Sequence, residues 1–188
     1  SGAEIPKRQY TFREAVGCYE YWTLCMLKFL AFGGYQILNP IILTLGLSRG
    51  LDESQAVLCV SLTGIASSLS RLLCPILADK IGNLRMLICT ELLNLTLVCS
   101  LAFARSPIYV VCVILVVACY GCAQALVSVL GVESFGTEHS GPILGFTPVF
   151  NTLSSFIFPS ISAAVYMGSG DYSGAFLIGS AAILPVII

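Results

Sequence analysis

Long apolar runs separated by short polar breaks dominate the chain. Five runs, over about residues 21–46, 54–78, 84–104, 107–132 and 142–167, each reach the roughly 20 residues that a membrane-crossing helix needs. A sixth follows Gly168-Ser-Gly-Asp-Tyr172 and has only about 14 residues at Ile188, short of that length. The runs are continuous, without the ten-residue alternation of barrel strands, so helices are expected. The pattern predicts an all-α membrane protein with six transmembrane helices over residues 21–188, the last one truncated. A polar lead-in over residues 1–20 would lie on the cytoplasmic side and carry a short interfacial helix. That helix is placed near Thr11, because Thr11-Phe-Arg-Glu14 has the form of a capping box. Tyr19, Tyr21 and Trp22 then fit an aromatic belt at the membrane surface.

The second run is the most informative. Ser61, Gly64, Ser68 and Arg71 recur at helical spacing with Ser67 beside them, so they share one face. Leu62, Ile65, Leu69, Leu72 and Ile76 fall largely on other faces. A charge near the middle of a bilayer costs about 2.5–3.5 kcal/mol on insertion scales, so such a residue usually faces a bundle interior or a watery cavity. The guanidinium of Arg71 offers a planar fork suited to a carboxylate. An anion site is one account of it. An internal ion pair, or a side chain snorkelling to the surface about two turns away, is the other.

Other polar residues interrupt the remaining runs. The first run carries Lys28, Gly33-Gly34-Tyr35-Gln36 and Asn39-Pro40. Lys28, Tyr35, Gln36 and Asn39 can share a face, and the glycine pair and Pro40 permit a kink or a close backbone contact. Glu91 and Asn94 lie in the third run, Tyr120 and Gln124 in the fourth, Asn151 in the fifth. Polar groups at such positions satisfy a neighbouring helix more often than a ligand. Basic residues set the expected orientation. Lys7, Arg8, Arg13, Lys80 and Arg85 fall on one side and Arg49 and Arg105 on the other, which favours a cytoplasmic N-terminus. Lys28, Arg71 and Glu91 then lie at one depth on consecutive helices. They could form one charge network, with Arg71 facing Glu91 or an anionic substrate in alternation and Glu91 carrying a proton. A static Arg71–Glu91 pair joining the two helices is the competing account.

Composition narrows the classes. Hydrophobic residues make up 57% of the 188 and charged ones 10%, against about 25% charged in soluble domains. The net charge of −1 suggests no nucleic-acid partner. Eight of the nine cysteines, all but Cys18, fall in apolar runs, where small buried hydrophobes are expected and a disulfide framework is not. Cys119-Tyr-Gly-Cys122 has no second ligand pair for zinc. The one histidine, His139, falls in a polar loop, and no nucleophile–base or metal spacing appears, so an enzyme is not expected and no bound cofactor is implied. Asn94-Leu-Thr96 is a glycosylation sequon placed where the membrane would hide it. The chain begins at Ser1 without a signal-peptide pattern and stops within an apolar run, as a piece of a longer protein would.

Pro75-Ile-Leu-Ala-Asp79-Lys80-Ile-Gly82-Asn-Leu-Arg85 resembles the loop between the second and third helices of each six-helix half in the major facilitator superfamily. Pro75 stands where that family has its first glycine, and Asn83 where a basic residue is common. The resemblance implies half of a twelve-helix fold and a gating role for Asp79, Lys80, Gly82 and Arg85. Within the superfamily the chain is similar to the C-terminal half of the oxalate/formate antiporter and monocarboxylate transporter branch. Four patches carry this: Thr11–Ala15 with Tyr21-Trp22, Arg71 eight residues before Asp79, Tyr120-Gly121 through Phe135-Gly136, and Gly170–Phe176. Ser70 replaces a common glycine, and Ser67 replaces an aspartate found in some monocarboxylate transporters. Residues 142–167 contain no Lys or Arg, so the oxalate-type lysine has no counterpart and oxalate is not the expected cargo.

The resemblance implies secondary transport of a small organic anion such as a monocarboxylate, by alternating access between this half and an N-terminal half. Arg71 would bind the carboxylate, with Tyr35, Gln36, Asn39, Tyr120 and Asn151 lining the cavity. A carrier of another solute such as an amino acid, or a non-transporting sensor or scaffold on the same fold, are the alternatives. The expected partners are the lipid bilayer, the missing half and the small-molecule substrate.

Overall fold

The computed structural model describes residues 9–187, and every regular element among them is helical. Lys7 and Arg8, part of the expected cytoplasmic lead-in, lie outside the described residues. Helix α1 (Phe12–Val16) starts at the Thr11–Glu14 capping box read from the sequence. The first span is broken into α2 (Tyr19–Leu30), α3 (Gly33–Leu38) and α4 (Ile42–Ser48), with a 3-10 turn at Asn39–Ile41. Pro40 lies in that turn, where its missing N–H is tolerated. Helix α5 (Glu53–Ile81) is the second span, α6 (Asn83–Leu101) the third and α7 (Ile108–Phe135) the fourth. The fifth is divided between α8 (Ser140–Phe146) and α9 (Pro148–Ser169), and α10 (Ser173–Ile187) is the sixth. Five of these spans are long and apolar enough to cross a membrane; α10 is shorter. The chain is an integral, multi-pass membrane protein.

Two boundaries differ from expectation. The charged turn Asp79–Gly82 is not a loop. Helix α5 runs through Asp79 and Lys80 to Ile81, and the connection is Gly82 alone, at φ +99°. A side chain at Cβ disfavours that backbone region, and glycine has none. The polar stretch expected as a loop from Glu133 likewise stays helical to Phe135, and Gly136, at φ +89°, turns the chain.

The core has two parts. One gathers α3, α4, α6, α7 and α10 around Ile37, Leu38, Val98, Leu101, Tyr109 and Phe176. The other lies toward the Gly82 end around Tyr21, Phe32, Leu126, Phe135 and Ile143. Tyr21 is therefore internal, its hydroxyl donating to the Ile143 carbonyl at 3.2 Å, while Tyr19 and Trp22 stay exposed as belt residues. Helices α5 and α7 approach closely at Gly121: a Cβ there would stand 2.7 Å from the Ser67 carbonyl oxygen. Cys74 and Cys122 are joined as a disulfide between these helices, with Cα atoms 5.4 Å apart, inside the span a disulfide allows. This corrects the expectation of buried free thiols for that pair. Cys119, the other half of the CxxC sequence, is buried and free.

Candidate functional site

Arg71 lies on the exposed side of α5. Ser61, Gly64 and Ser68 are exposed on the same face, and no atom comes within 4 Å of a Cβ built at Gly64. The polar stripe thus points away from the packed bundle. Ser67 and Ser70 turn toward α7 at Gly121. Tyr35, on α3, is half-buried and within electrostatic reach of Arg71. Its ring stacks on Tyr120 of α7 with centroids 3.8 Å apart and planes 12° from parallel. Each phenol has a helical neighbour one turn away. The Tyr35 hydroxyl donates to Asn39 Oδ1 at 3.2 Å, and Gln124 Nε2 donates to the Tyr120 hydroxyl at 3.0 Å. Tyr35, Asn39 and Tyr120 therefore form one cluster, with Arg71 in electrostatic reach of Tyr35. Gln124 belongs to it as well, and its four-residue spacing from Tyr120 was the sequence signal for that.

The other candidates lie elsewhere. Gln36 Nε2 donates to Asn151 Oδ1 at 3.0 Å, so these two satisfy each other between α3 and α9. Lys28 is 5% exposed, and its Nζ donates to the Thr147 hydroxyl at 2.8 Å. Glu91 is 1% exposed and accepts from Asn94 Nδ2 at 3.2 Å. No ion pair joins Arg71, Lys28 and Glu91 among the described residues, so the single charge network is not formed. The shared depth expected from the sequence does not fix rotation about each helix axis. Arg71 turns outward while Glu91 turns into the bundle.

At one end of the bundle Asp79, Lys80, Gly82 and Arg85 are all exposed. Asp79, Gly82 and Arg85 line a cavity of about 540 Å³ with Glu133 of α7. Asn83 Nδ2 donates to Glu133 Oε1 at 2.8 Å, a link from α6 to α7 that involves no basic residue. At the opposite end Arg49, Arg105 and Asp171 line a second cavity. The Ser173 hydroxyl bonded to Asp171 holds its carboxyl below the ordinary carboxylate range, helped by the Tyr172 N–H and the Arg49 charge. No cluster of three or more His, Cys, Asp or Glu groups that could hold a metal occurs among the described residues.

The fold has a solved counterpart. A crystal structure of a variant of the E. coli fucose:proton symporter superposes with a TM-score of 0.79 at 14% identity. The match covers 93% of this chain and 43% of that one, so this chain spans less than half of the symporter's length. No curated protein sequence matches the chain. The model of the Major Facilitator Superfamily matches residues 24–188. Together with the helical bundle and its one-residue α5–α6 connection, that match shows that the chain belongs to the major facilitator superfamily.

Proposed function

We propose that this chain forms one half of a secondary transporter for small organic anions, such as monocarboxylates, that works by alternating access. The observation that carries the reading is the open polar face of α5. A stripe of Ser61, Gly64, Ser68 and Arg71 is poorly matched to lipid, because a guanidinium in hydrocarbon is expensive. It is well matched to a water-filled cavity closed on its far side by a second six-helix half. There the Arg71 fork donates to both oxygens of a carboxylate. The Tyr35–Tyr120 pair bounds the organic part, and Asn39 and Gln124 fix the two phenol hydroxyls. Gln36 and Asn151, bonded to each other, support the α3–α9 packing rather than the solute. Asp79, Lys80, Gly82 and Arg85 would take the gating role that the family resemblance implies, and their exposure at one end is compatible with it.

Uptake of labelled small carboxylates by the full-length protein tests this, with surface expression matched between variants. Arg71→Gln should abolish uptake. Arg71→Lys should reduce it by about tenfold or more, since lysine keeps the charge but loses the fork. Unchanged uptake in both would make Arg71 structural. Glu91→Gln examines coupling separately. A carboxyl only 1% exposed beside Asn94 is a candidate proton carrier, and its loss should flatten the pH dependence of uptake. A retained pH profile removes Glu91 from that role.

A further inference from the structure

The cavity at the end opposite Gly82 involves none of the residues assigned to the proposed transport site. It lies among the end of α4, the α6–α7 connection and the α9–α10 loop, and holds about 770 Å³, within the roughly 300–1,000 Å³ range of small-molecule sites. Two guanidinium groups line it, Arg49 and Arg105, against one carboxylate, Asp171.

The Arg49 side chain is 15% exposed and anchored by one donor, which reaches the Ala102 carbonyl at 3.2 Å. The same nitrogen stands 3.8 Å from Asp171 Oδ1, beyond hydrogen-bond length. Asp171 is satisfied without it, through the Ser173 hydroxyl and the Tyr172 N–H at 2.7 Å. A guanidinium has five N–H donors, so Arg49 is held in place with donors to spare. Arg105 is exposed, and its side chain makes no hydrogen bond or ion pair among the described residues. Tyr166 and Tyr172 stack with centroids 4.4 Å apart and give the cavity an aromatic wall.

We propose that this cavity binds a phosphate group, with its oxygens shared between Arg49 and Arg105 and the rest of the ligand lying against Tyr166 and Tyr172. A carboxylate offers two oxygens in one plane, whereas a tetrahedral phosphate offers up to four pointing in different directions, which suits two forks arriving from different elements. The cavity lies where the spans end, so a lipid headgroup and a soluble phosphate ester can both present that chemistry. The site is separate from Arg71 and does not depend on which solute is carried.

The test uses the purified full chain in detergent. One arm titrates glycerol phosphate against glycerol by calorimetry. The other adds phosphatidic acid against diacylglycerol and counts bound lipid by native mass spectrometry. In at least one arm the phosphate form should bind and its phosphate-free counterpart should not, and the arm that responds identifies the source. Arg105→Gln should weaken that binding by about tenfold or more, the scale of a lost charge-assisted hydrogen bond, and Arg71→Gln should leave it unchanged. Arg105 has no hydrogen-bond or ion-pair partner among the described residues, so its variant decides the matter even if Arg49→Gln disturbs folding. Binding equal in wild type and Arg105→Gln, or no preference for phosphate in either arm, overturns the assignment.

Discussion

Asp171 shows how a loop residue acts through its immediate neighbours. The Ser173 hydroxyl, the Tyr172 N–H and the Arg49 charge all favour its ionised form, so its folded-state pKa lies below the unfolded one. The resulting stability is present above the unfolded value of about 3.9 and is lost as pH falls through the folded value. Asp171→Asn should therefore unfold at a lower temperature than wild type at pH 7, with the gap closing below about pH 4. The side chain is 59% exposed, so the gap should be small. Melting curves from pH 3 to 7 that superpose throughout would remove the effect. Side chains inside the spans were harder to place from sequence. Helical spacing put Arg71 on the right stripe because that depends on α5 alone. The partners of Lys28 and Gln36 lie 119 and 115 residues away, at Thr147 and Asn151. They depend on the rotation of α9 against the first span, which no local pattern specifies.

Among elements, the α5–α7 contact is the most sensitive. Gly121 lets α7 lie on Ser67 and Ser70, and even one methyl would meet the Ser67 carbonyl at 2.7 Å. Backbone cannot give way as a flexible side chain does, so Gly121→Ala should destabilise by about 1–3 kcal/mol, read as a lower melting temperature in detergent. Gly64→Ala, with open space around it, is the matched control. Equal melting temperatures for the two variants would mean that the helices do not pack at Gly121. Element number and length were legible because a bilayer imposes a length on each apolar run. Where helices break was only partly legible. Pro40 signalled the 3-10 turn, but the same kind of residue, Pro75, sits inside an unbroken α5. Whether a proline breaks a helix in a membrane depends on how neighbours satisfy the freed carbonyl, which is tertiary information. The Cys74–Cys122 juxtaposition is tertiary in the same way.

Across the whole molecule burial is uneven. In the apolar windows of α5 and of the α8–α9 span, 17% of residues are buried, against 61% for α7. The two exposed helices carry both apolar and polar faces, so they meet two environments. Cysteine scanning of the full-length protein separates them. With accessible native thiols removed, the proposed cavity predicts that Ser68→Cys reacts with a membrane-impermeant thiol reagent and that Leu69→Cys, assigned to the lipid side, does not. A Ser68→Cys variant that does not react would place the Ser61–Arg71 stripe against lipid and withdraw support from the anion site.

Gly82 carries a last consequence. Consecutive Cα atoms are 3.8 Å apart, and α5 and α6 are separated by that one residue, so their joined ends have no slack. Any displacement of the end of α5 hauls the start of α6 with it, so those two helix ends must travel together. The α6–α7 connection, by contrast, runs from Ala102 to Pro107 and has chain to pay out. A rocking motion would therefore be divided unequally, with rigid coupling at the Gly82 end and free play at the other.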